Sequence, residues 1–414
     1  MNGEQSVCRS CGKTELSVIL NLGQTPLANA LLTADQVGLT EATYPLDLAF
    51  CRSCALVQIT ETVPPERLFR EYLYLSSFSD TMLHHSLKLV KRLILNRHLE
   101  RNSLVVEIGS NDGYLLQYYK QAGIPVLGIE PATNIARVAQ EVRGIRTLAQ
   151  FFGESLARQI REKGEQADVI HAHNVLAHVA DLNGVVSGIG LLLKDHGVAV
   201  AEVPYVKDLI DHTEFDTIYH EHLCYFSLTA LKRIFRRHQL MIGEVERLPI
   251  HGGSLRLFIE KMKTNEDGED FPSVRRLLQE ETLQGLDRVE FYQNFADKVE
   301  KLRYGLLDLL KRLKGENKRI VAYGASAKGS TLLNYFGIGR GILDYVVDRS
   351  TVKQGLFTPG TQLPIYAPAK LTEDRPDYVL LLAWNFAEEI ITQQAEYHQK
   401  GGKFIIPIPK LQIV

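Results

Sequence analysis

The stretch HTEFDTIYHEHLCYFS, residues 212–227, concentrates groups that move protons near neutral pH: His212, His220 and His222, with Glu221, Tyr219 and Tyr225 among them. A single histidine or tyrosine is most often a half-buried packing residue. A cluster of this density points instead to general acid–base chemistry. On a helix, Tyr219 and His222 would share one face at i, i+3, with Glu221 placed to orient an imidazole or hold charge beside it. A metal site is the weaker reading, because the helical metal pair spaces its histidines at i, i+4.

A second chemistry is written in the cysteines. Four of the five fall in two CxxC pairs, Cys8/Cys11 and Cys51/Cys54, and Cys224 stands alone. Two thiolate turns complete a tetrahedral S₄ site that suits zinc. Four thiolates leave no open position for water or substrate, so the expected Zn²⁺ is structural. Between the pairs, NLGQTPLAN reads as irregular, and YPLDLAFC (44–51) reads as a strand entering the second turn.

The elements that must position the proton chemistry begin at residue 104. LVVEIGSNDGYLLQYYKQAG reads as strand, glycine turn and helix. Gly109 permits a tight turn off the strand and Gly113 a close approach of backbone to ligand. Glu130 ends the next short strand, IPVLGIEP, where a carboxylate suits a ribose diol. Glu107, Gly109, Asn111, Asp112, Gly113 and Glu130 are the expected cofactor contacts, with Asn174 after the strand in ADVIHAHNVLAHVADL (167–182). The Gly109–Gly113 spacing departs from the G-x-G-x-x-G dinucleotide fingerprint, which weakens a nicotinamide reading. GVAVAEVPY (197–205) is a further strand, and MIGEVERLPIHGGSLRLFIEK (241–261) an antiparallel pair at a sheet edge. This alternation, closed by that pair, is the architecture of class I methyltransferases.

Residues 271–313 carry helical periodicity and read as one or two connecting helices. KRIVAYGASAKGSTLLNYF (318–336) then repeats the strand–turn–helix pattern. Its G-A-S-A-K-G turn offers Ser326, Lys328 and Gly329 to a phosphate, without Walker A spacing. Asp348 ends the next strand, and Trp384 and Asn385 end another, at the edge where open parallel sheets bind ligands. The expected division is a zinc-binding domain over 1–75, an α/β Rossmann-like methyltransferase domain over 76–265, connecting helices over 266–313 and a C-terminal Rossmann-like α/β domain over 314–414.

The totals restrict the function class. A chain of 414 residues exceeds one ordinary core. With Lys+Arg at 47 against Asp+Glu at 49, the net charge is −2, which argues against a nucleic-acid partner. The opening MNGEQSVCRSCGK lacks the build of a signal peptide, and no apolar run has membrane-spanning length. A cytoplasmic enzyme with no membrane partner is expected, and a monomer is compatible with the sequence.

Together, CxxC…CxxC, EIGSNDG, the YHEH segment, HGGSLR (251–256) and GASAKG resemble, over nearly the whole chain, the sugar C-methyltransferases that act on nucleotide-linked 4-keto deoxysugars. The resemblance implies S-adenosyl-L-methionine as methyl donor, a zinc-bearing front domain, and a C-terminal domain that helps hold a nucleotide-diphosphate sugar. It implies His222 as the base, with Tyr219, Glu221 and His178 beside it. It also brings in a tyrosine from REYLYLSSFSD (70–80), best matched by Tyr74, with Tyr72 as a further substrate contact. Two other readings compete. One is an NAD-dependent sugar-nucleotide oxidoreductase, drawing on the two Rossmann-like segments. The other is a zinc-ribbon RNA-binding methyltransferase, whose basic stretch LKRIFRRHQ (231–239) is more simply a solvated helix face.

Overall fold

The computed structural model describes residues 6–69, 75–263 and 270–414. Three sheets organise them. The front sheet takes β1 (Leu16–Pro26), β2 (Thr43–Cys51) and β3 (Val57–Ile59), all antiparallel. NLGQTPLAN therefore does not read as its glycine and proline suggest. Residues up to Pro26 stay in β1, and register shifts between Val18 and Leu20 and between Asn21 and Gln24 absorb the irregular residues.

The central sheet contains β4 (Val105–Ile108), β5 (Val126–Ile129), β6 (Thr147–Leu148), β7 (Ala167–His173) and β8 (Leu193–Pro204) in parallel. Before this sheet is finished, the chain leaves it. The short strand β9 (Cys224–Tyr225) pairs antiparallel with β3, so the front sheet runs β1-β2-β3-β9. The chain then returns through β10 (Leu240–Leu248) and β11 (Ser254–Lys261), the expected antiparallel edge pair. The resulting order is β10-β11-β8-β7-β4-β5-β6. Strand order reverses between β4 and β7, which opens a crevice at their carboxyl ends. β4 is buried at every position, as a strand covered on both faces must be.

Helices Pro272–Gln284 and Phe295–Gly315 connect to the third sheet. Its strands are β12 (Ile320–Tyr323), β13 (Val346–Val347), β14 (Ile365–Tyr366), β15 (Tyr378–Leu381), β16 (Lys403–Ile406) and β17 (Gln412–Ile413), in the order β14-β13-β12-β15-β16-β17. One continuous apolar core links residues of all three sheets, from Leu48 through Val106 to Val321. No helix among the described residues is long and apolar enough to cross a membrane.

Candidate active site

A cavity of about 580 Å³ opens at the crevice predicted by the strand order. Gly109, Asn111, Glu130 and Asn174 line it, four of the seven expected cofactor contacts. Gly109 has φ +65°, and a Cβ there would meet Val175 Cγ2 at 2.6 Å, so the turn requires glycine. Glu130 is fixed by its neighbours: Oε2 accepts from the Asn111 amide and Oε1 from the Ala132 amide, both at 2.9 Å. Each oxygen keeps a lone pair for a ligand. Burial raises the Glu130 carboxyl above its ordinary range, and the two amides oppose that.

Glu107, Asp112 and Gly113 shape the turn from behind the wall. Asp112 Oδ2 accepts from Arg143 Nη2 at 3.0 Å. Burial, then the nearby Asp112 and Glu130, hold the Glu107 carboxyl well above the usual carboxylate range. Both Glu107 oxygens and Asn174 Oδ1 are sealed from solvent without a hydrogen-bond partner among the described residues. Buried polar atoms in that state fit a pocket built to receive a polar ligand.

The opposite wall carries the proton chemistry. Residues 214–227 do not form an α-helix. A 3₁₀ turn (Phe215–Thr217) is followed by a tight turn, in which the His222 amide donates to the Tyr219 carbonyl at 2.9 Å, and then by β9. The turn still brings Tyr219 onto His222. His222 Nδ1 lies 2.8 Å from the Thr217 carbonyl oxygen, and Nε2 lies 2.8 Å from the Tyr219 hydroxyl. A carbonyl only accepts, so Nδ1 carries the proton and Nε2 presents its lone pair, to which Tyr219 donates. The His178 ring meets His222 edge-on at 4.7 Å between centroids. Burial pushes the His178 imidazole down to about 4, with the Glu221 backbone opposing, so it is neutral at pH 7. His222, Tyr219, His178 and Tyr225 all line the cavity.

Glu221, expected to orient an imidazole or hold charge beside it, faces the front domain, while Thr217 and Tyr219 engage the His222 ring nitrogens. Glu221 is buried, and its Oε1 accepts from Asn29 Nδ2 of the front domain at 2.7 Å. Burial pushes its carboxyl up to about 7, against the pull of Asn29 and Lys353. Tyr72 and Tyr74 lie outside the described residues.

From the C-terminal sheet, Lys328 alone of the expected substrate contacts lines the cavity. Its Nζ sits 4.4 Å from the Trp384 ring centroid, and Trp384 Nε1 donates to Asp216 Oδ2 at 2.6 Å. Burial lowers the Lys328 ammonium, while Asp216 and Glu214 hold it up. The other polar groups are occupied within the domain. Ser326 Oγ caps its helix by accepting from the Gly329 amide at 3.1 Å. Asp348 accepts from the amides of Ala325 and Ser350, each at 2.8 Å. Gly329 lies against Leu382, and Asn385 sits in the 3₁₀ turn Trp384–Phe386, off the cavity wall. The turn expected to cradle phosphate thus spends its Ser326 hydroxyl on its own helix.

At the front of the chain, Cys8, Cys11, Cys51 and Cys54 bring their sulfurs within 4.8 Å of one another. Cys8 and Cys54 are 3.4 Å apart and Cys11 and Cys51 3.6 Å, too far for disulfides. A tetrahedral site with Zn–S near 2.3 Å separates its sulfurs by about 3.8 Å, inside this range. The donor set fits structural zinc.

Over 407 residues the chain is 36% identical to the C-methyltransferase NovU of Streptomyces niveus, spanning 98% of this chain and 96% of that protein. The chain belongs to this C-methyltransferase family. Residues 8–69 match a zinc-binding domain family, residues 82–245 a methyltransferase domain and residues 249–409 a C-methyltransferase C-terminal domain. A shorter match, 29% identical over 97 residues, is to the ubiquinone biosynthesis O-methyltransferase of Bartonella quintana, covering 23% of this chain and 39% of that one. Among solved structures, the magnesium protoporphyrin IX methyltransferase of Synechocystis PCC 6803 with bound SAH is 16% identical, at a TM-score of 0.35 over 43% of this chain and 83% of that one. The PH0226 protein of Pyrococcus horikoshii OT3 is 12% identical, at a TM-score of 0.37 over 49% of this chain and all of that one. Residues 8–69, with their four clustered sulfurs, are the zinc-binding domain of this C-methyltransferase.

Several residues of the C-methyltransferase site have no signal in the sequence. The Thr217 carbonyl that sets the His222 tautomer is backbone, and no residue type announces it. Asn29 lies 192 positions from Glu221. His173 lines the cavity with Nε2 2.9 Å from His171 Nδ1, and His171 Nε2 lies 2.9 Å from the Tyr119 hydroxyl. The alternation in ADVIHAH marks these two histidines as sharing one face of β7, a usable signal passed over in favour of the strand's apolar residues.

Proposed function

We propose that this cytoplasmic enzyme methylates C3 of a nucleotide-linked 4-keto-6-deoxysugar through an enolate. The observation that carries the reading is His222 Nε2. Its tautomer is set by Thr217, and it opens on the same cavity as Glu130 and Asn111. Carbon becomes nucleophilic when an adjacent carbonyl acidifies its proton, and a 4-keto group does this for C3.

Bound S-adenosyl-L-methionine supplies a methyl group activated by positively charged sulfur, with Glu130 holding its ribose. Tyr219 turns its hydroxyl from Nε2 to the C4 carbonyl oxygen of the sugar, which uncovers the nitrogen lone pair. His222 Nε2 then takes the C3 proton, and the C–H electron pair becomes the enolate. Tyr219 stabilises the charge that appears on oxygen only as the proton leaves. The Thr217 carbonyl accepts from the Nδ1–H of the resulting imidazolium. Neutral His178 adds no competing positive charge. As the enolate carbon bonds to the methyl group, the methyl–sulfur bond breaks and its electron pair stays on sulfur, leaving S-adenosylhomocysteine, and the proton on His222 passes to solvent when product leaves. Lys328 faces the sugar nucleotide from the C-terminal domain.

The test follows the C3 proton. Incubation with a nucleotide-linked 4-keto-6-deoxysugar in deuterated water is expected to give a product heavier by one methyl group. Without the donor, deuterium should enter at C3. Methylation on oxygen, or no washout of C3 hydrogen, would sink the reading. Nicotinamide bound to the purified protein would favour the oxidoreductase instead.

Removing the ribose acid has its own signature. Glu130→Ala deletes hydrogen bonds to a charged group, each worth about 1.5–3 kcal/mol. The expected result is a donor KM raised about 10- to 100-fold with kcat little changed, read by varying donor at saturating sugar. A fall in kcat at unchanged KM would remove Glu130 from donor binding.

A further inference from the structure

The segment that carries His222 is held by the zinc-bearing domain at several points. β9 pairs with β3 through Val57–Tyr225 and Gln58–Cys224. The Ile59 amide donates to the Leu223 carbonyl at 3.1 Å, and His220 Nε2 lies 3.0 Å from the Pro45 carbonyl. One side-chain contact stands out among these. Asn29 Nδ2 donates to Glu221 Oε1 at 2.7 Å, while Glu221 Oε2 is buried without a hydrogen-bond partner among the described residues.

The loop that presents Asn29 is pinned on both sides. Pro26 is paired with Thr43 at the end of β1, and Leu32 and Phe357 exchange amide–carbonyl hydrogen bonds at 2.9 and 2.8 Å. A buried carboxylate one residue from His222 would be out of place as a packing group, because burial disfavours its charge. An amide donor favours the charged form and does not itself titrate.

We propose that Asn29 is a positioning residue for methyl transfer: its side-chain amide fixes the Glu221 carboxylate as the counter-charge to the imidazolium that forms at His222. The inference rests on the reading of His222 as base. Besides Asn29, the charged group facing Glu221 is Lys353 of the C-terminal domain, with His220 and His222 flanking it in the chain and His178 contacting its backbone. In the low-dielectric interior the field of Glu221 reaches the imidazolium without direct contact.

The test uses the full zinc-loaded chain with Asn29→Ala, Glu221→Gln and the double variant. Infrared difference spectra, with Glu221→Gln as the blank, give the Glu221 titration without any substrate. In Asn29→Ala the midpoint should move to higher pH by about one unit. kcat should fall about tenfold at pH 7 and recover towards wild type as pH rises, with donor KM unchanged. In the Glu221→Gln background, Asn29→Ala should cost nothing further. An unmoved titration midpoint, or the same loss of kcat in both backgrounds, overturns the proposal. Full activity of Glu221→Gln would overturn it too and leave the methyl-transfer reading standing. Failure of wild type to methylate 4-keto sugars would strike the substrate reading, and the infrared titration would still decide the role of Asn29.

Discussion

Replacing His222 with asparagine is expected to slow methyl transfer by about 10²–10⁴, the usual worth of a positioned general base. The effect should fall on kcat, because the proposed donor contacts Asn111 and Glu130 follow β4 and β5, elements separate from the turn that carries the imidazole. Asparagine is the informative choice. Its side-chain amide can still donate towards the Thr217 carbonyl that His222 Nδ1 now engages, yet it has no basic nitrogen to replace Nε2. Single-turnover kinetics with the sugar nucleotide give the rate, and calorimetry with S-adenosylhomocysteine gives the affinity. A wild-type rate in this variant would assign the base elsewhere, and Tyr219 would be the next residue to change. A loss of donor affinity equal to the loss of rate would show a collapsed pocket in place of a missing base.

Stripping the zinc is expected to abolish methylation while leaving donor binding within about tenfold. Structural zinc in a small domain contributes about 10–16 kcal/mol of apparent binding free energy, as much as the whole stability of a typical domain. The front sheet therefore should not outlast its metal. β2 ends at Cys51 and β3 begins just after Cys54, so opening the metal turn separates the strand that carries β9. The proposed donor contacts belong to the seven-stranded sheet, which has its own strand order and buried strands. A strong chelator, zinc release followed by a colorimetric dye, and S-adenosylhomocysteine calorimetry on the same sample make the comparison. Full activity at substoichiometric zinc would refute the coupling. Loss of donor binding in step with activity would mean that the two sheets melt as one unit.

Local features of this site were legible in the sequence, and features made by folding were not. The CxxC pairs, the Gly109–Glu130 spacing and the 241–261 strand pair each lie within a short window, where residue type and period speak directly. The spacing that would pair Tyr219 with His222 on a helix also pairs them here, where a tight turn brings them together. Glu221 binds Asn29, a partner no local pattern points to. The GASAKG turn is ambiguous for a physical reason. A helix N-terminus that binds phosphate and one that caps itself draw on the same small polar residues, and the Ser326 hydroxyl oxygen accepts from its own helix. Lys328 lines the cavity, and its neighbours Asp216 and Glu214 come from the segment with His222.

The pairing of β3 with β9 also bears on how such enzymes can be recombined. Two stretches more than 160 positions apart form one sheet, and the turn that holds the proposed base His222 leads into its outermost ribbon. A crossover between homologues near position 75 would graft one parent's metal knot onto the other parent's ribbon. Chimeras should tolerate that junction only when residues 217–226 travel with the front piece, so the unit of inheritance here is discontinuous in the gene.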